Sequence, residues 1–230
     1  MKLIKRNSFQ FIQSSYHFNK RNLNDFKKTF NYLKIDNYHK ENENNNYPTR
    51  LRKYRNYDIK IHNNFLEINK NNTNCFQQNV NDKRKNKRFF PLIEYYYHPI
   101  IIDLLNLGIN HTLSFKPNIK NINISVHQIR QITYPNISSH NSLEGIHKDG
   151  CDFIISAFII NKYNIDNGIS SIYDNQKNII FKKKLEENEY IFQNDKNLFH
   201  YVNPIYFNNN DNNNDNFGYR DIIGLDMELL

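Results

Sequence analysis

The sequence predicts a mainly β fold with N-terminal helices, in which a two-layer β-sandwich or jelly roll carries helices on its outside. Apolar residues recur at helical spacing only in about the first 110 residues, and strand-like alternation begins at about residue 112. Helices followed by a run of strands are typical of a layered β fold with helical packing. The chain has 230 residues, which fits one ordinary domain. We therefore expect a basic N-terminal extension over residues 1–24 and a single domain over residues 25–230.

Two helices are predicted before about residue 110. Apolar residues of the first recur at helical spacing at Leu23, Phe26, Phe30 and Leu33. Asn24 or Asp25 is placed to cap its N-terminus. The second covers residues 99–108, where proline stands in the first turn and glycine stands beyond the end. We expect both helices to serve core packing.

Three strands are predicted in the C-terminal half. Apolar and polar residues alternate over residues 122–126, and they alternate again over residues 223–229. Residues 152–160 are almost continuously apolar, as in a strand that is buried on both faces. These segments place the jelly-roll core at about residues 112–230.

The first of these strands predicts a polar contact for a substrate. Gln128 and Arg130 continue the face that carries its apolar residues, so they belong at the mouth of the barrel if that face lines the interior. Burying an arginine is costly unless it meets an anion. We therefore expect Arg130 either to bind a substrate carboxylate or to form a buried ion pair with Asp152 or Glu144. All four side chains are candidate substrate contacts.

Composition and charge narrow the class of protein. Asparagine runs at residues 42–46 and 208–216 are interpreted as surface loops, the second within an asparagine-rich loop over residues 207–216. The net charge of +8 is spread along the chain, and its densest basic cluster, residues 83–88, is interpreted as a solvated loop. We therefore expect no nucleic-acid partner.

The cysteines and the N-terminus bear on location. Cys75 and Cys151 are far apart in the chain, which predicts no disulfide framework and fits a reducing compartment. No apolar run approaches the ~20 residues of a membrane span. Residues 1–24 are basic and lack acidic residues, as in an organellar transit peptide. We favour the cytoplasm as the location, with the mitochondrion as the alternative. We make no prediction of the oligomeric state.

Three residues form a candidate metal site. His147 and Asp149 are two positions apart, so in an extended segment their side chains point to the same side and can bind one metal together. His200 supplies a third ligand from far along the chain. Two histidines and one carboxylate can hold one face of a non-haem Fe(II), leaving positions for a chelating cosubstrate and for O₂. A structural zinc site normally has a fourth protein ligand, and no cysteine is placed to supply one.

The segments around these ligands resemble a known family. Residues 143–153, 168–175, 199–205 and 218–223 are similar to the small bacterial-type 2-oxoglutarate- and Fe(II)-dependent dioxygenases, which include free amino-acid hydroxylases such as isoleucine 4-hydroxylase. Upstream, Arg50-x-Arg52-x-Tyr54 and residues 126–130 also resemble motifs of that family. The resemblance spans about residue 25 to the C-terminus.

The resemblance implies a fold and an activity. The fold would be a double-stranded β-helix, the cupin-like form of the jelly roll. The cofactor would be Fe(II), with 2-oxoglutarate as cosubstrate and O₂ as oxidant. The reaction would hydroxylate a small substrate, with a free L-amino acid favoured, and would release succinate and CO₂.

The resemblance also implies roles for side chains around the metal. Arg220 would bind the far carboxylate of 2-oxoglutarate through a two-point contact. Tyr173 would either hydrogen-bond the cosubstrate or pack against a neighbour. Tyr201 follows the distal histidine where the family often has a smaller residue, so the size of the pocket stays open.

Two other hypotheses remain at this point. A jelly-roll metalloprotein of another activity, such as an isomerase or a metal-dependent sensor, would use the same three ligands without needing Arg220. A basic RNA-binding or scaffold protein would carry its histidines incidentally, and it would bind nucleic acid with a strong dependence on salt.

Overall fold

The computed structural model describes residues 11–37, 47–63, 65–76, 88–208 and 215–230. Its helices are α1 (Lys20–Thr29), a short 3₁₀ helix (Phe30–Tyr32) and α2 (Pro99–Phe115). Its strands are β1 (Phe11–Ser15), β2 (Lys34–Ile35), β3 (Arg50–Ile61), β4 (Leu66–Lys70), β5 (Cys75–Phe76), β6 (Arg88–Phe89), β7 (Asn121–Thr133), β8 (Phe153–Tyr163), β9 (Ile165–Asn167), β10 (Ile169–Tyr173), β11 (Ile179–Lys184), β12 (Glu189–Asn194), β13 (Phe199–Val202), β14 (Ile205–Phe207) and β15 (Gly218–Leu229). The fold is mainly β, as predicted.

A large antiparallel sheet organises the molecule. Its strand order is β1-β12-β8-β15-β7-β3-β2. Strand β4 pairs with the C-terminal part of β3, residues 57–61. A smaller sheet has the order β11-β10-β13, and two short pairs, β14-β9 and β5-β6, complete the described strands. This is the jelly-roll architecture that the sequence predicts.

The two faces of the large sheet bury different residues. On one face, Ile124 and Val126 of β7 belong to the same buried cluster as Ile101 and Leu104 of α2. On the other face, a second cluster joins residues of β7, β8 and β15 to the smaller sheet, and it includes Ile129, Ile159, Ile222 and Ile172. Because strand residues alternate between faces, even-numbered β7 residues up to 130 face the helices and odd-numbered residues from 127 face the space between the sheets.

Helix α2 is longer than predicted. It runs through Gly108, which was expected to follow its end, and continues to Phe115. An added Cβ at Gly108 would lie 3.1 Å from Sδ of Met227 and 3.3 Å from Cδ1 of Leu225. The glycine therefore permits close packing of the helix on β15, and it does not terminate the helix.

Replacing Gly108 with valine is expected to lower the free energy of unfolding by about 1–3 kcal/mol, because branched methyl groups would be forced against Met227 and Leu225. Urea unfolding would measure the change. Asn110→Val places the same β-branched residue at an exposed position of the same helix. An equal loss in both variants would mean that helix propensity, and not packing on β15, is responsible.

The N-terminal boundaries also differ from the prediction. Helix α1 begins at Lys20 and is capped by Asn19, whose side chain accepts hydrogen bonds from the backbone N–H groups of Arg21 and Asn22. Neither Asn24 nor Asp25 is the cap, so this prediction was wrong by more than a turn. Within the predicted extension, β1 pairs with β12 and buries Phe11 and Ile12. Residues 11–24 are therefore part of the domain.

The described residues between 25 and 110, predicted to be the helical part of the domain, also contain the five strands β2–β6. Strand β3 pairs with β7 over nearly its whole length and lies inside the large sheet. Its sequence shows no apolar alternation because it buries the charged residues Arg50, Arg52 and Arg55. The predicted boundary between helices and strands at about residue 110 was therefore wrong.

Several predicted loops fall partly outside the described residues. These include residues 42–46, residues 83–87 of the basic cluster, and residues 209–214 of the asparagine-rich loop. That loop connects Phe207, the last residue of β14, to β15, which begins at Gly218. None of the helices in the described part of the chain has the length and apolarity needed to cross a membrane.

Candidate metal centre

His147, Asp149 and His200 meet at one place. One ligand atom from each lies within 4.8 Å of the other two. The Asp149 carboxylate is 3.5 Å from Nε2 of His147 and 3.4 Å from Nε2 of His200. The two imidazole rings are 4.3 Å apart between their centroids. The structure therefore brings together all three residues that the sequence predicted as a group.

The backbone fixes the relative position of the two histidines. The N–H of His147 donates to the carbonyl of His200 at 3.1 Å, and the N–H of His200 donates to the carbonyl of His147 at 2.9 Å. This pair is an isolated antiparallel bridge, and it ties the segment before β8 to β13. Two residues that are distant in sequence are thereby held directly opposite each other.

A hydrogen bond orients the His147 ring. Its Nδ1 lies 2.7 Å from the carbonyl oxygen of Gly145, which can only accept, so Nδ1 carries the proton of the neutral ring. The unprotonated Nε2 then faces Asp149. Gly145 has a φ of +73°, a conformation that a glycine adopts without strain. The turn before the histidine therefore sets which ring nitrogen is available to a metal.

Asp195 contacts the residues of this group without belonging to it, and it was not predicted from the sequence. Its buried carboxylate accepts the backbone N–H of Gly150 at 2.6 Å and that of Cys151 at 3.2 Å, directly after Asp149. Its other oxygen lies 3.9 Å from Nδ1 of His200. Burial, together with the nearby charge of Asp149, raises the pKa of Asp195. Asp195 thus fixes the backbone directly after Asp149 and faces the ring of His200.

The donor set fits a non-haem iron ion. Two imidazole nitrogens and one carboxylate are the ligands of the facial Fe(II) site, which leaves positions open for other molecules. Among the described residues, no fourth histidine, cysteine or carboxylate joins the group. A closed structural zinc site would require one.

Arg220 is buried on β15 in a neutral environment. Its Nε donates to the side-chain oxygen of Gln131 at 2.9 Å, and its Nη1 donates to the carbonyl of Gly168 at 3.1 Å. In the described part of the chain no carboxylate forms an ion pair with it, and burial lowers its pKa to about 10. At neutral pH the guanidinium is therefore charged and buried without an anion from these residues.

Gly168 allows the close approach of its carbonyl to Arg220. Its φ is +73°, and an added Cβ would lie only 2.8 Å from Nη1 of Arg220 and 2.9 Å from Cγ2 of Ile205. A side chain at this position would displace the guanidinium. The glycine thus determines where the charge of Arg220 lies.

A cavity adjoins the candidate ligands and is lined by further arginines. His147, Asp149 and His200 form part of its wall. Arg50 and Arg52 of β3 and Arg88 of β6 form another part. In the sequence, Arg50 and Arg52 stand out only as part of a motif, and neither was predicted to lie in the site.

Comparison with protein families identifies the chain. The model of the family described as 2OG-Fe dioxygenase matches residues 27–226, which is most of the chain. The chain belongs to the 2OG-Fe dioxygenase family. This dioxygenase family uses Fe(II), 2-oxoglutarate and O₂. The hypotheses of a jelly-roll protein with another activity and of an RNA-binding scaffold are therefore rejected in favour of an oxidoreductase.

Solved structures agree with this fold. IDO from Bacillus thuringiensis is 19% identical, with a TM-score of 0.72, covering 96% of this chain and 90% of that one. A bsmA homolog from Methylobium petroleophilum PM1 is 16% identical, with a TM-score of 0.77, covering 91% and 81%. The Fe(II)/(alpha)ketoglutarate-dependent dioxygenase TqaL is 12% identical, with a TM-score of 0.66, covering 96% and 82%. No curated protein sequence matches the chain.

Two predicted substrate contacts of the dioxygenase lie on the wrong side of the large sheet. Gln128 donates to the hydroxyl of Thr29 and accepts from that of Tyr95, beside the helices. Arg130 forms a two-point ion pair with Asp221 through its Nε and Nη2, at 2.6 and 2.8 Å. The predicted face was wrong because the apolar residues of this strand pack against α2 and not against the interior of the jelly roll.

Glu144 and Asp152 of the dioxygenase occupy different surroundings. Glu144 accepts a hydrogen bond from the hydroxyl of Ser142, which lines the cavity. Asp152 forms an ion pair with Lys196 and accepts the backbone N–H of Leu229 at 2.9 Å. Neither carboxylate forms the predicted pair with Arg130. Asp152 therefore stabilises the end of β15, and only Glu144 lies near the candidate metal ligands.

Tyr173 and Tyr201 lie on the outer face of the smaller sheet of the dioxygenase. Ile172 pairs with His200, whereas Tyr173 pairs with Phe199, so alternation places the Tyr173 ring on the face opposite His200. Tyr201 is on that same outer face, and burial, followed by the neighbouring Tyr173, raises its pKa. Tyr173 is therefore not brought to the metal group, and the size of Tyr201 does not restrict the cavity.

Proposed function

We propose that this dioxygenase binds Fe(II) through His147, Asp149 and His200 and hydroxylates a small substrate, most specifically a free L-amino acid. The observation that supports the metal site is the convergence of these three side chains in the order and chemistry of a facial iron site. The amino-acid substrate rests on the resemblance of the motifs to free amino-acid hydroxylases.

We further propose that Arg220 binds the far carboxylate of 2-oxoglutarate. Three of its N–H groups contact Gln131 and Gly168, which leaves two of the five donors of a guanidinium for a ligand. A buried charge is costly unless an anion accompanies it, and none of the described residues supplies one. A bound carboxylate would supply that charge and accept both remaining donors.

Each part of the chain then has a defined task. Fe(II), 2-oxoglutarate and O₂ together supply the oxidation of a C–H bond to an alcohol, with succinate and CO₂ as coproducts. The bridge between His147 and His200 holds their rings in position, and Gly145 keeps the proton of His147 on Nδ1. Asp195 holds the backbone after Asp149 and faces Nδ1 of His200. The protein thus contributes orientation, while the reactive chemistry belongs to the cofactor.

Absorbance under anaerobic conditions tests the proposal directly. Adding Fe(II) and then 2-oxoglutarate to the protein is expected to give a weak visible charge-transfer band that requires both. His147→Ala should abolish the band, because one imidazole ligand is lost. His140→Ala is the matched control, since His140 lies outside the group. A panel of L-amino acids can then be screened for succinate release with O₂.

Metal binding without the band would contradict the assignment of the 2-oxoglutarate site. A band that survives in His147→Ala would contradict the assignment of the ligand. A band in the native protein without succinate release above background for any L-amino acid would reject the substrate class and leave the iron site in place.

A further inference from the structure

The arginine-lined cavity beside the candidate metal ligands carries arginine side chains that have no role in the proposed iron and 2-oxoglutarate sites. Arg50 and Arg52 are two positions apart on β3, so both side chains lie on the same face of the large sheet. Arg88 enters the same cavity from β6. The side chains of Arg50 and Arg52 are only 9% and 6% exposed.

A buried carboxylate lies between two of these arginines. The Asp36 carboxylate is 3.2 Å from Nε of Arg50 and 3.8 Å from Nη1 of Arg52. Nη1 of Arg50 also donates to the backbone carbonyl of Asn141 at 2.5 Å. These contacts hold the guanidinium groups in place before any ligand arrives, which reduces the entropy cost of binding one.

Aromatic rings fix the orientation of two of the guanidinium groups. The Arg52 guanidinium lies 4.2 Å from the centroid of Phe90, and that of Arg88 lies 5.1 Å from the centroid of Phe76. Stacking of this kind favours a charged, planar guanidinium and shields it from water. The apolar cluster of these two rings with Tyr54 therefore forms a platform for the positive charges.

His127 does not add to the positive charge. Burial, followed by the charges of Arg52 and Arg88, keeps its pKa well below the usual value, so the ring is neutral. Its Nδ1 accepts from Nη2 of Arg52 at 2.5 Å, and its Nε2 donates to Asp226 at 3.0 Å. Among the described residues in and around the cavity wall, three guanidinium groups are therefore accompanied by the carboxylates of Asp36, Asp149 and Asp226, and Asp149 is assigned to the metal.

We propose that Arg52 and Arg88, together with Arg50, form the binding site for the carboxylate of the amino-acid substrate. This inference rests on the proposed function, in which a second small molecule binds beside the iron and 2-oxoglutarate. Guanidinium groups bind carboxylates through paired, charge-assisted hydrogen bonds. A carboxylate held on this wall leaves the rest of the substrate beside His147 and His200, which line the same cavity.

The competing ligand for these arginines is 2-oxoglutarate itself. Arg220 on β15 is a separate buried cation, and no carboxylate of the described residues pairs with it. Within the described residues, the cation on β15 is therefore distinct from the cationic site formed by β3 and β6. Two sites match a reaction with two anionic reactants, and the assignment of Arg220 to 2-oxoglutarate leaves the arginine-lined cavity for the substrate.

Binding of matched acid and amide probes tests this proposal without turnover. The protein is loaded with Mn(II) and 2-oxoglutarate without O₂, and the twenty common L-amino acids and their primary amides are titrated in by calorimetry. We expect at least one acid to bind and its amide to bind at least about 30-fold more weakly, a loss of about 2 kcal/mol. Arg52→Lys and Arg88→Gln should weaken binding of that acid by a similar factor.

Arg55→Lys is the matched control. Arg55 lies on the same strand and is equally buried, but its guanidinium faces the other way and donates to the backbone carbonyls of Ile93 and Asn71. It should bind the acid as the native protein does. Arg88 is half-buried on the short strand β6, whereas Arg52 lies inside the large sheet, so Arg88→Gln tests the site even if Arg52→Lys fails to fold.

The outcomes separate the hypotheses. Equal binding of acid and amide, unchanged binding in Arg52→Lys and Arg88→Gln, or no binding of any acid to the loaded protein would overturn the carboxylate site. Loss of 2-oxoglutarate affinity in these variants, with the amino acid unaffected, would assign the arginines to the cosubstrate and also overturn it. Failure of the native protein to bind Mn(II) and 2-oxoglutarate would instead reject the proposed function.

Discussion

Replacing Arg220 with leucine is expected to raise the dissociation constant of 2-oxoglutarate about 100-fold while changing that of the metal by less than about threefold. The reason is that a buried guanidinium with two donors to spare is the proposed partner of the far carboxylate. Removing one member of a buried, hydrogen-bonded charge pair typically costs about 2–5 kcal/mol. The iron ligands themselves are untouched, since Arg220 is not a member of their group.

Arg220→Lys provides the internal comparison. Lysine keeps the charge but loses the planar fork, so we expect an intermediate loss of 2-oxoglutarate affinity. Calorimetric titration of the metal-free protein with Mn(II), and then of the loaded protein with 2-oxoglutarate, gives the two affinities, and thermal unfolding reports whether the variants remain folded. A parallel loss of metal and 2-oxoglutarate affinity would indicate a general disruption of the site and would reject Arg220 as the carboxylate anchor.

The sequence predicted the chemistry of this site better than its surroundings. The His-x-Asp spacing is local, and the family resemblance linked it to His200 and Arg220, so these assignments needed no knowledge of packing. Prediction of which face of β7 lines the interior required knowledge of what covers each face. Because α2 covers one face with apolar residues, Gln128 and Arg130 point away from the metal group.

The arginine-lined cavity could not be predicted from the sequence, for a different reason. Strand β3 buries Arg50, Arg52 and Arg55, so its pattern of apolar residues does not resemble that of a central strand. Its buried charges are stabilised by contacts made far away in sequence, such as those to Asp36 and His127. Asp195 was missed for the same reason, because its partners are backbone N–H groups more than forty residues earlier. Long-range hydrogen bonds of this kind leave no local pattern.

Replacing Asp149 with alanine is expected to weaken binding of Mn(II) or Fe(II) by more than 100-fold, the largest effect of any single change in the group. The carboxylate is the only anionic member among the three residues, and both histidine Nε2 atoms lie within 3.5 Å of it. Without it, two neutral imidazoles remain, which bind a hard divalent ion such as Mn(II) poorly.

Asp195→Asn separates the role of a ligand from that of a supporting residue. Asparagine keeps an oxygen that can accept the N–H groups of Gly150 and Cys151, but it replaces the carboxyl oxygen that faces Nδ1 of His200 with an amide NH₂ group. Changes to groups that support a metal ligand typically cost about 10–100-fold in metal affinity, so Asp195→Asn should fall between the native protein and Asp149→Ala. Mn(II) affinities from electron paramagnetic resonance give this order. If Asp195→Asn abolished binding while Asp149→Ala retained it, Asp195 would be the true carboxylate ligand, and the group defined by His147, Asp149 and His200 would have to be revised.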